Sequence, residues 1–443
     1  MQTTSSLYVN DIIDTRPVGG LQWCAILTCM LIAVLDGFDT QTIGMLAPTM
    51  SKELGIPLGK FGPIFSAGLL GMLAGAVILG PLADRFGRKA MVILSTLLFG
   101  SLSLATAHAT SESLLVLRLL TGVGLGGALP NALALASEYS PRRYSRVIVA
   151  TLMCGMPLGA VLGGLVTSML LPTHGWSAVF VVGGVLPIAV ALFAVIFMPE
   201  SARFLILRGR SANRLAAIMQ RIAPELPRDQ RFLVPPRTAK GVPVGELFAH
   251  GRWKDTLLLW IPYFMNLVVL YFIVSWMPAV LVSAGHPVTV GIAAISLFSA
   301  GGVVGCLAQG WLMNSFGVRR VLVVEMLVYV VLATILANWP RSWATVVVVS
   351  ALIGVVVQAV QAGLNVLATE IYPTHMRATG IGFAIGVGRV GSICGPLSGS
   401  VMLALQIDVK HIFLMGIIPA MLAILAILFN RRADQGAAPE PTH

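Results

Sequence analysis

Long apolar runs constrain this chain more than any other feature of its sequence. A helix needs about 20 mostly apolar residues to cross the hydrocarbon core of a bilayer, and twelve runs of this kind occur. A transmembrane β-barrel would show segments of about ten alternating residues, whereas these runs are longer and uniformly apolar. The predicted spans are 20–46, 61–83, 89–108, 113–137, 147–171, 176–198, 256–283, 288–313, 320–339, 343–369, 378–403 and 411–430.

The charge content supports the same class of protein. Only 11% of the residues are charged, against roughly 25% in ordinary soluble domains, so a water-facing surface of normal polarity cannot be built. The sequence therefore predicts an all-α integral membrane protein surrounded by a lipid bilayer. Soluble enzymes and nucleic-acid-binding domains are excluded at this step, and no ATPase motif of the GxxxxGK type is present.

The distribution of basic residues predicts the orientation of the spans. Lysine and arginine collect in cytoplasmic loops, and most of the 29 in this chain fall in the tails, the central loop and the loops between even and odd spans. Both termini are therefore predicted to be cytoplasmic. The exceptions are Lys52, Lys60, Arg341 and Lys410 in the opposite loops, and Arg118 and Arg389 within spans.

Two internal matches divide the chain into similar halves. The segment 80–89 (GPLADRFGRK) aligns with 310–319 (GWLMNSFGVR) at an offset of 230 residues, and 138–141 aligns with 370–373 at an offset of 232. Parallel halves of six helices, with substrate bound between them at the midplane, are the architecture of the major facilitator superfamily. The predicted segments are the N-tail 1–19, the N-terminal half 20–198, the central loop 199–255, the C-terminal half 256–430 and the C-tail 431–443.

The loop at 80–89 closely resembles the superfamily's signature between its second and third helices. Its glycines permit a tight turn, and Asp84 at a helix end can pair with arginines in one conformation only, which would act as a gate. An anchoring turn rich in positive charge is the alternative, but it leaves Asp84 unexplained. In the second copy Asn314 replaces the acid. The predicted gating residues are Gly80, Asp84, Arg85, Gly87, Arg88, Lys89, Glu138, Arg142, Glu370 and Arg377.

A narrower resemblance begins in the first span, at 35–40 (LDGFDT). The segments 129–141 and 372–389 join it, and together they are similar to the aromatic acid:H+ symporter family, whose first helix carries a DGxD pattern. The resemblance implies import of a hydroxybenzoate-like carboxylate with protons by alternating access, across a bacterial inner membrane. We expect a monomer that needs no cofactor and no metal, with H+ as the coupling ion.

Two acidic residues in the first span are predicted to couple transport to protons. A charged group costs about 2.5–3.5 kcal/mol at the bilayer centre, so Asp36 and Asp39 are expected to have a function. Placed three residues apart, they share one face of the helix. Two carboxylates this close do not both ionise easily in a low dielectric, so either could carry the proton. A structural pairing with arginines is the alternative.

Two arginines lie in spans of opposite halves and are candidates for binding the substrate anion. A guanidinium group offers a planar fork that suits a carboxylate. We expect Arg389 to anchor the substrate, because Gly386, Gly388 and Gly391 would leave room beside it. Arg118 is expected to pair with the Asp36/Asp39 region and to release it on protonation, although the two arginines could exchange roles.

Polar and aromatic side chains of the seventh and tenth spans are predicted to contact the substrate ring. Aromatic faces could stack on it and amides could bind a ring hydroxyl; hydrogen bonding between helices is the alternative for the amides. These candidates are Tyr263, Asn266, Tyr271, Gln358, Gln361 and Asn365.

Other readings of the function remain open at this point. The same fold could carry an aliphatic carboxylate, a sugar or a drug, although paired aspartates with arginines in both halves favour an anion. A membrane sensor of aromatic acids is a further alternative, against which the lack of an appended soluble domain argues. No constellation typical of an enzyme is present.

Overall fold

The computed structural model describes residues 7–208, 212–225, 232–234, 244–249, 251–338, 342–373 and 375–430. These ranges include every predicted site residue, while the predicted C-tail at 431–443 lies outside them. The helices are α1 (Val9–Thr15), α2 (Gly20–Glu53), α3 (Phe61–Phe86), α4 (Arg88–Thr106), α5 (Leu114–Tyr139), α6 (Arg142–Met153), α7 (Gly155–Phe197), α8 (Ala202–Leu207), α9 (Ala212–Ile222), α10 (Trp253–Ser283), α11 (Val288–Phe316), α12 (Val318–Asn338), α13 (Trp343–Ile371), α14 (Arg377–Ala404), α15 (Val409–Met415) and α16 (Ile417–Phe429). Two short strands, β1 (Leu7–Tyr8) and β2 (Phe232–Leu233), complete the regular structure with short 3-10 helices at Leu58–Lys60 and Val244–Leu247.

Eleven helical stretches among the described residues are long and apolar enough to cross a membrane. The longest, Arg142–Phe197, is 56 residues long and contains α6 and α7. Gly175 interrupts it with φ 74° and ψ −178°, a conformation that glycine adopts far more readily than residues with a side chain. The two parts on either side of Gly175 correspond to the predicted spans 147–171 and 176–198, so the eleven stretches account for the twelve predicted crossings.

The internal repeat extends to the backbone of the two matched turns. Gly87 precedes α4 with φ 102°, and Gly317 precedes α12 with φ 85°. The two glycines occupy equivalent positions at the offset of 230 residues found in the sequence. Because residues with a Cβ rarely adopt such angles, both turns depend on glycine.

Helix crossings repeat at the same offset. A Cβ on Gly71 or Gly75 of α3 would lie 2.0–2.1 Å from a carbonyl oxygen of α5. A Cβ on Gly301 or Gly305 of α11 would lie 2.0–2.1 Å from a carbonyl oxygen of α13. Small residues let helix backbones approach closely in lipid, and here the same helix pair of each half uses them at equivalent positions.

Contacts within the chain group it into two compact units. Unit 1 contains Met1–Thr40, Leu70–Gly159 and Ser177–Arg237, and unit 2 contains Gln41–Leu69, Ala160–Trp176 and Thr238–His443. Two segments of the predicted N-terminal half, 41–69 and 160–176, thus group with the C-terminal half. The predicted domain boundaries stay predictions.

Apolar contacts fold the N-tail against the central loop within unit 1. β1 pairs in parallel with β2. Three side chains on one side of α1, Val9, Ile12 and Ile13, are at most 4% exposed. They form an apolar cluster with side chains of α8 and α9. The apolar sides of these short helices therefore pack together and bury one side of the tail.

Charged contacts extend this attachment. Asp14 accepts a hydrogen bond from the backbone N–H of Arg142 at 2.7 Å, and its other carboxylate oxygen lies 3.2 Å from Nε of the same arginine. Arg16 forms an ion pair with Glu225. A backbone hydrogen bond at Glu225 itself, together with the Arg16 guanidinium, lowers the pKa of the Glu225 carboxyl. The N-tail therefore joins the loop after α5 to the central loop.

Candidate functional site

The LDGFDT segment lies in the middle of α2, where this helix crosses α7. A Cβ on Gly37 would lie 1.9 Å from the carbonyl oxygen of Met156, and one on Gly159 would lie 1.9 Å from that of Val34. The two backbones are therefore in direct contact at this crossing. The glycine of the DGxD pattern is required by packing, and the flanking aspartates are buried beside it.

Asp39 forms a buried ion pair with Arg118 of α5. Nη2 of Arg118 donates to both carboxylate oxygens of Asp39, at 3.0 and 3.3 Å. Ser103 of α4 adds a hydroxyl hydrogen bond to Oδ1 at 2.7 Å. Asp39 is 2% exposed and Arg118 is 4% exposed. Each buried charge of the pair therefore depends on the other for its compensation.

The guanidinium of Arg118 also contacts an aromatic ring. It lies over Phe180 of α7, 5.5 Å from the ring centroid. Nε of Arg118 is buried and has no hydrogen-bond partner among the described residues. Two helices besides α5, namely α2 and α7, thus contact this cation, and one of its donors has no acceptor among the described residues.

Asp36 has a different environment from Asp39. It is fully buried, and its Oδ1 accepts a hydrogen bond from the hydroxyl of Thr40 at 3.4 Å. Asp39 thus contacts a guanidinium and a serine hydroxyl, while the partners of Asp36 include a threonine hydroxyl. Which of them carries a proton stays a prediction.

Four of the predicted substrate-binding residues meet between α10 and α13 in unit 2. The Tyr263 hydroxyl donates to Oδ1 of Asn365 at 2.8 Å, and Nδ2 of Asn266 donates to Oε1 of Gln361 at 3.0 Å. Nδ2 of Asn365 donates to the backbone oxygen of Gln361 at 3.3 Å. Asn365 is exposed, whereas Tyr263 and Asn266 are buried, so this polar network reaches from the helix interface to the surface of unit 2.

The other two predicted substrate-binding residues lie elsewhere. Gln358 faces α11, where its side-chain amide lies about 2.1 Å from the position of a Cβ on Gly302. Tyr271 is 6% exposed and buried on α10, two turns beyond Tyr263. Their spacing in sequence is helical, but the structure does not bring them into the polar network.

Arg389 of α14 carries a guanidinium group that is partly buried. Within the described residues it has no side-chain hydrogen bond or ion pair, and it is thus a cation available to a ligand. Of the glycines expected to leave room beside it, Gly386 borders open space. Gly388 and Gly391 instead pack closely against α10. Because these glycines lack side chains, α14 can approach α10 closely at their positions.

The gating residues of the 80–89 loop form a network with the end of α5 and the start of the central loop. Arg88 forms an ion pair with Glu138. The side chains of Arg88 and Glu138 are 20% and 17% exposed, respectively. Asp84 lines a cavity of about 190 Å³ with these two residues and Arg203. Charges of both signs thus surround one space, large enough for several water molecules, at the ends of α3 and α5.

Glu200 completes this network, and its role was not predicted from the sequence. Its Oε1 accepts hydrogen bonds from the backbone N–H of Lys89 at 3.0 Å and of Ser201 at 2.8 Å. A Cβ on Gly87 would lie 2.4 Å from Oε2 of Glu200. A carboxylate at the N-terminus of α4 is stabilised by free N–H groups and the helix dipole. The signal in the sequence was the acidic residue after Pro199, at the end of span six.

The remaining predicted gating residues differ in their contacts. Arg142 binds Asp14 of the N-tail, as described above, Arg85 lies over the ring of Phe86, and a Cβ on Gly80 would meet open space. Lys89 donates from Nζ to the backbone oxygen of Val195 at 2.8 Å. In unit 2, Nε of Arg377 donates to the backbone oxygen of Tyr372 at 3.4 Å.

The second copy of the gate lacks the ion pair of the first. Val318 occupies the position of Arg88, and Asn314 occupies that of Asp84. Glu370, the counterpart of Glu138, has no ion pair among the residues that the structure describes. The second copy therefore lacks the charges that the first copy carries at Asp84 and Arg88.

A second acidic residue that the sequence analysis missed lies in α12. Oε2 of Glu325 accepts a hydrogen bond from Nε2 of Gln309 on α11 at 3.1 Å. A single carboxyl group in an otherwise apolar span is itself a signal for function, and it was available in the sequence.

Comparison with known proteins identifies relatives along almost the whole chain. The family profile described as Major Facilitator Superfamily matches residues 29–332 and 293–443. The chain is 38% identical to the 4-hydroxybenzoate transporter PcaK of Pseudomonas putida, covering 96% of this chain and 95% of that one. It is 37% identical to a gallate transporter of Pseudomonas putida, covering 98% and 97%. It is 36% identical to the 3-(3-hydroxy-phenyl)propionate transporter of Escherichia coli, covering 93% and 95%.

Solved structures confirm the fold. A D-xylose-proton symporter superimposes with a TM-score of 0.70 at 16% identity, covering 92% of this chain and 97% of that one. The predicted all-α membrane fold of two six-helix halves is therefore confirmed. The family profile and the relatives confirm the expectation of a transporter and not an enzyme. With relatives of this similarity over nearly its full length, and a profile match to both halves, the chain belongs to the Major Facilitator Superfamily, in the branch that includes these aromatic acid transporters.

Proposed function

We propose that this protein is a proton-coupled symporter that imports a hydroxylated aromatic carboxylate by alternating access. The observation that carries the proposal is the buried Asp39–Arg118 ion pair in a chain 38% identical to a 4-hydroxybenzoate transporter. Such a pair provides a carboxyl group that can accept a proton and a guanidinium that responds to it. The cofactor-free mechanism needs only H+ as the coupling ion.

The coupling step follows from the partners of Asp39. While Asp39 is ionised, its two oxygens hold Arg118 between α2 and α5. A proton entering the site neutralises the carboxyl group, and the guanidinium loses its counter-charge. A buried unpaired cation is unfavourable, so Arg118 then favours a new anion. Uptake of a proton is thereby linked to a change in helix contacts or in affinity for the substrate carboxylate.

The substrate class is supported by the residues of unit 2. Arg389 offers a guanidinium group suited to a carboxylate and without an ion pair among the described residues. The amides of Asn266, Gln361 and Asn365 offer donors and acceptors suited to ring hydroxyls. The relatives are named for 4-hydroxybenzoate, gallate and hydroxyphenylpropionate. All three are aromatic carboxylates with at least one ring hydroxyl.

The membrane and orientation form part of the proposal. The excess of lysine and arginine in the tails and central loop supports cytoplasmic termini under the positive-inside rule. The bacterial relatives support an inner-membrane location. A single chain contains both halves and is expected to work as a monomer.

The decisive experiment is uptake of radiolabelled 4-hydroxybenzoate into cells expressing the chain, with and without a protonophore. We expect accumulation above the outside concentration that collapses when the proton gradient is removed. Competition with unlabelled gallate, benzoate and aliphatic carboxylates defines the cargo. Accumulation that survives the protonophore contradicts proton coupling, and a panel of aromatic acids that neither enters nor competes contradicts the substrate class.

A further inference from the structure

One acidic side chain lies in α12, and the coupling scheme above does not use it. Glu325 is about 10 Å along a helix of about 30 Å, counted at 1.5 Å per residue from Val318. The side chains of Val324, Val328 and Val331 are exposed on this membrane-crossing helix. Glu325 therefore borders the hydrocarbon, where an ionised group is costly.

The partner of Glu325 is an amide with one unsatisfied atom. Gln309 is 2% exposed, and its Nε2 donates to Oε2 of Glu325 at 3.1 Å. Oε1 of Gln309 is buried and has no hydrogen-bond partner among the described residues. A buried acceptor without a donor is unfavourable, because it has lost its hydrogen bonds to water and gained none in the protein. This contact gives Nε2 of Gln309 a hydrogen-bond acceptor, while Oε1 of the same amide still has no donor.

A proton on Glu325 would supply the missing donor. An ionised carboxylate only accepts hydrogen bonds, whereas a protonated carboxyl group also donates one. A carboxylic acid and a primary amide can close a ring of two hydrogen bonds. In that ring the acid O–H donates to Oε1 of Gln309, and Nε2 donates to the other oxygen of the acid. The second of these bonds is the one that the structure shows.

No cationic side chain faces this pair from the described residues of α11, α13 or α16. Among their described residues, α16 has no titratable side chain and α11 has only Cys306, whose thiol contacts the backbone of α13. Glu370 of α13 lies about 10 Å along its helix from Gly363, which packs on Gln309. On α12 itself, Tyr329 lies one turn beyond Glu325 and is buried.

The basic side chains of α12 and α15 lie in the first turns of these helices. Arg319 donates to the backbone oxygen of Leu428, and Arg320 is exposed. Lys410 and His411 are in the first turn of α15, which packs on the other half of α12. No ion pair reaches Glu325 within the part of the chain that the structure describes, so an ionised form would have no compensating charge.

We propose that Glu325 binds a proton and that Gln309 holds it as one half of a neutral acid–amide pair between α11 and α12. This site is separate from Asp36 and Asp39, and the inference stands whatever solute the chain carries. Loss of the proton leaves a carboxylate beside an amide at the edge of the hydrocarbon. The contact between α11 and α12 therefore depends on the protonation of Glu325. This residue would be a proton-binding group in the C-terminal half, in addition to the one proposed in the N-terminal half.

Infrared spectroscopy of the purified full chain in lipid nanodiscs tests the proposal directly. At about pH 7 an exposed glutamate is ionised, so its spectrum lacks the carbonyl stretch of a protonated carboxyl group. We expect the wild-type spectrum to contain this stretch, and Glu325→Gln to lose the intensity of one carboxyl group. Glu325→Gln keeps an amide partner for Gln309, so the variant is expected to fold.

Two further variants complete the test. Glu112→Gln removes an exposed carboxyl group and should leave the protonated-carboxyl stretch unchanged. Gln309→Leu removes the amide and should shift the stretch to higher frequency, because the acid loses its hydrogen-bond partner. Equal intensity of the stretch in the wild type and in folded Glu325→Gln would overturn the proposal.

Discussion

Asp39 and Arg118 are each buried, and among the residues that the structure describes neither charge has a second ion-pair partner. Breaking such a pair by removing one member costs about 3–5 kcal/mol, because an uncompensated charge stays buried. The hydroxyl of Ser103 contributes a weaker contact to the same carboxylate. The carboxyl charge and its hydrogen bonds can therefore be tested separately.

Asp39→Asn is expected to reduce accumulation of 4-hydroxybenzoate at least about tenfold, a difference of about 1.4 kcal/mol, because the amide cannot carry a proton. Exchange of internal for external substrate should continue, which shows that the variant is folded. Ser103→Ala is the matched control, since it removes one hydrogen bond worth about 1 kcal/mol and keeps the carboxyl group. Wild-type accumulation in Asp39→Asn would show that the coupled proton is carried elsewhere.

Arg389→Lys tests the proposed anchor of the substrate carboxylate. Lysine keeps the charge but loses the planar fork, so the half-saturation concentration for uptake should rise about tenfold, or about 1.4 kcal/mol. Arg320→Lys, at an exposed arginine of α12, is the control for the same change of side chain. An unchanged half-saturation concentration in Arg389→Lys removes this residue from the binding site.

Gly37 tests the packing role of the DGxD glycine. An alanine Cβ would lie 1.9 Å from the carbonyl oxygen of Met156, and overpacking of this kind costs about 1–3 kcal/mol. We expect Gly37→Ala to lower the thermal unfolding temperature of the purified protein. Gly20→Ala changes the same helix where a Cβ meets open space. If both variants unfold at the wild-type temperature, the helix crossing tolerates a side chain and the packing argument is wrong.

At the scale of the elements, α1 connects segments that are far apart in the sequence. Its apolar side packs on α8 and α9, and Asp14 reaches the start of α6. The same region of the central loop carries Glu200, which caps α4. The N-tail therefore fixes the position of the loop that supports the gating network.

Ile13→Asp should release this attachment, because the new carboxylate would be buried without a partner. Once α1 detaches, α9 loses part of its apolar contact. Trypsin should then cleave after Arg214 and Arg221 of α9 at least about tenfold faster, as expected for a segment with lowered local stability. Asp11→Asn, on the exposed side of α1, is the control. Equal cleavage rates in the two variants would mean that the N-tail does not hold the central loop.

At the scale of the whole molecule, the proposed alternating access requires the gate to form and break in each cycle. The charges around the cavity at Asp84, Arg88 and Glu138 are well placed for this, because ion pairs near water are individually weak. A contact of this kind shifts the populations of conformations without touching the substrate. Its effect should therefore be on rate.

Asp84→Asn is expected to lower the maximal uptake rate about tenfold, or about 1.4 kcal/mol in the activation barrier, and to leave the order of preference among aromatic acids unchanged. The measurement is uptake rate against concentration for several acids in the same cells. Asp408→Asn, at an exposed aspartate before α15, is the control. A changed preference with an unchanged maximal rate would place Asp84 in the substrate site and refute a gating role.

The architecture was accessible from the sequence for reasons of chain chemistry. Apolar runs of membrane length, basic residues between them and a repeat at an offset of 230 residues are all properties of neighbouring or regularly spaced residues. They predicted the helices and the matched turns at Gly87 and Gly317, whose φ angles the structure shows to be alike. The cost of placing charge in hydrocarbon also singled out Asp36, Asp39, Arg118 and Arg389 as candidates, since it depends only on residue type and depth.

The pairing of these residues was decided by the tertiary structure alone. Asp39 and Arg118 are 79 positions apart, and helical periodicity places Asp36 and Asp39 on one face without choosing between them. Helical spacing likewise grouped Gln358 with Gln361, although a helix rotates by about 100° per residue and the two amides face different helices. Sequence by itself determined which helices form and which charges they bury. Which groups touch depended on the crossing angles and rotations of packed helices, and these are set by contacts between distant residues.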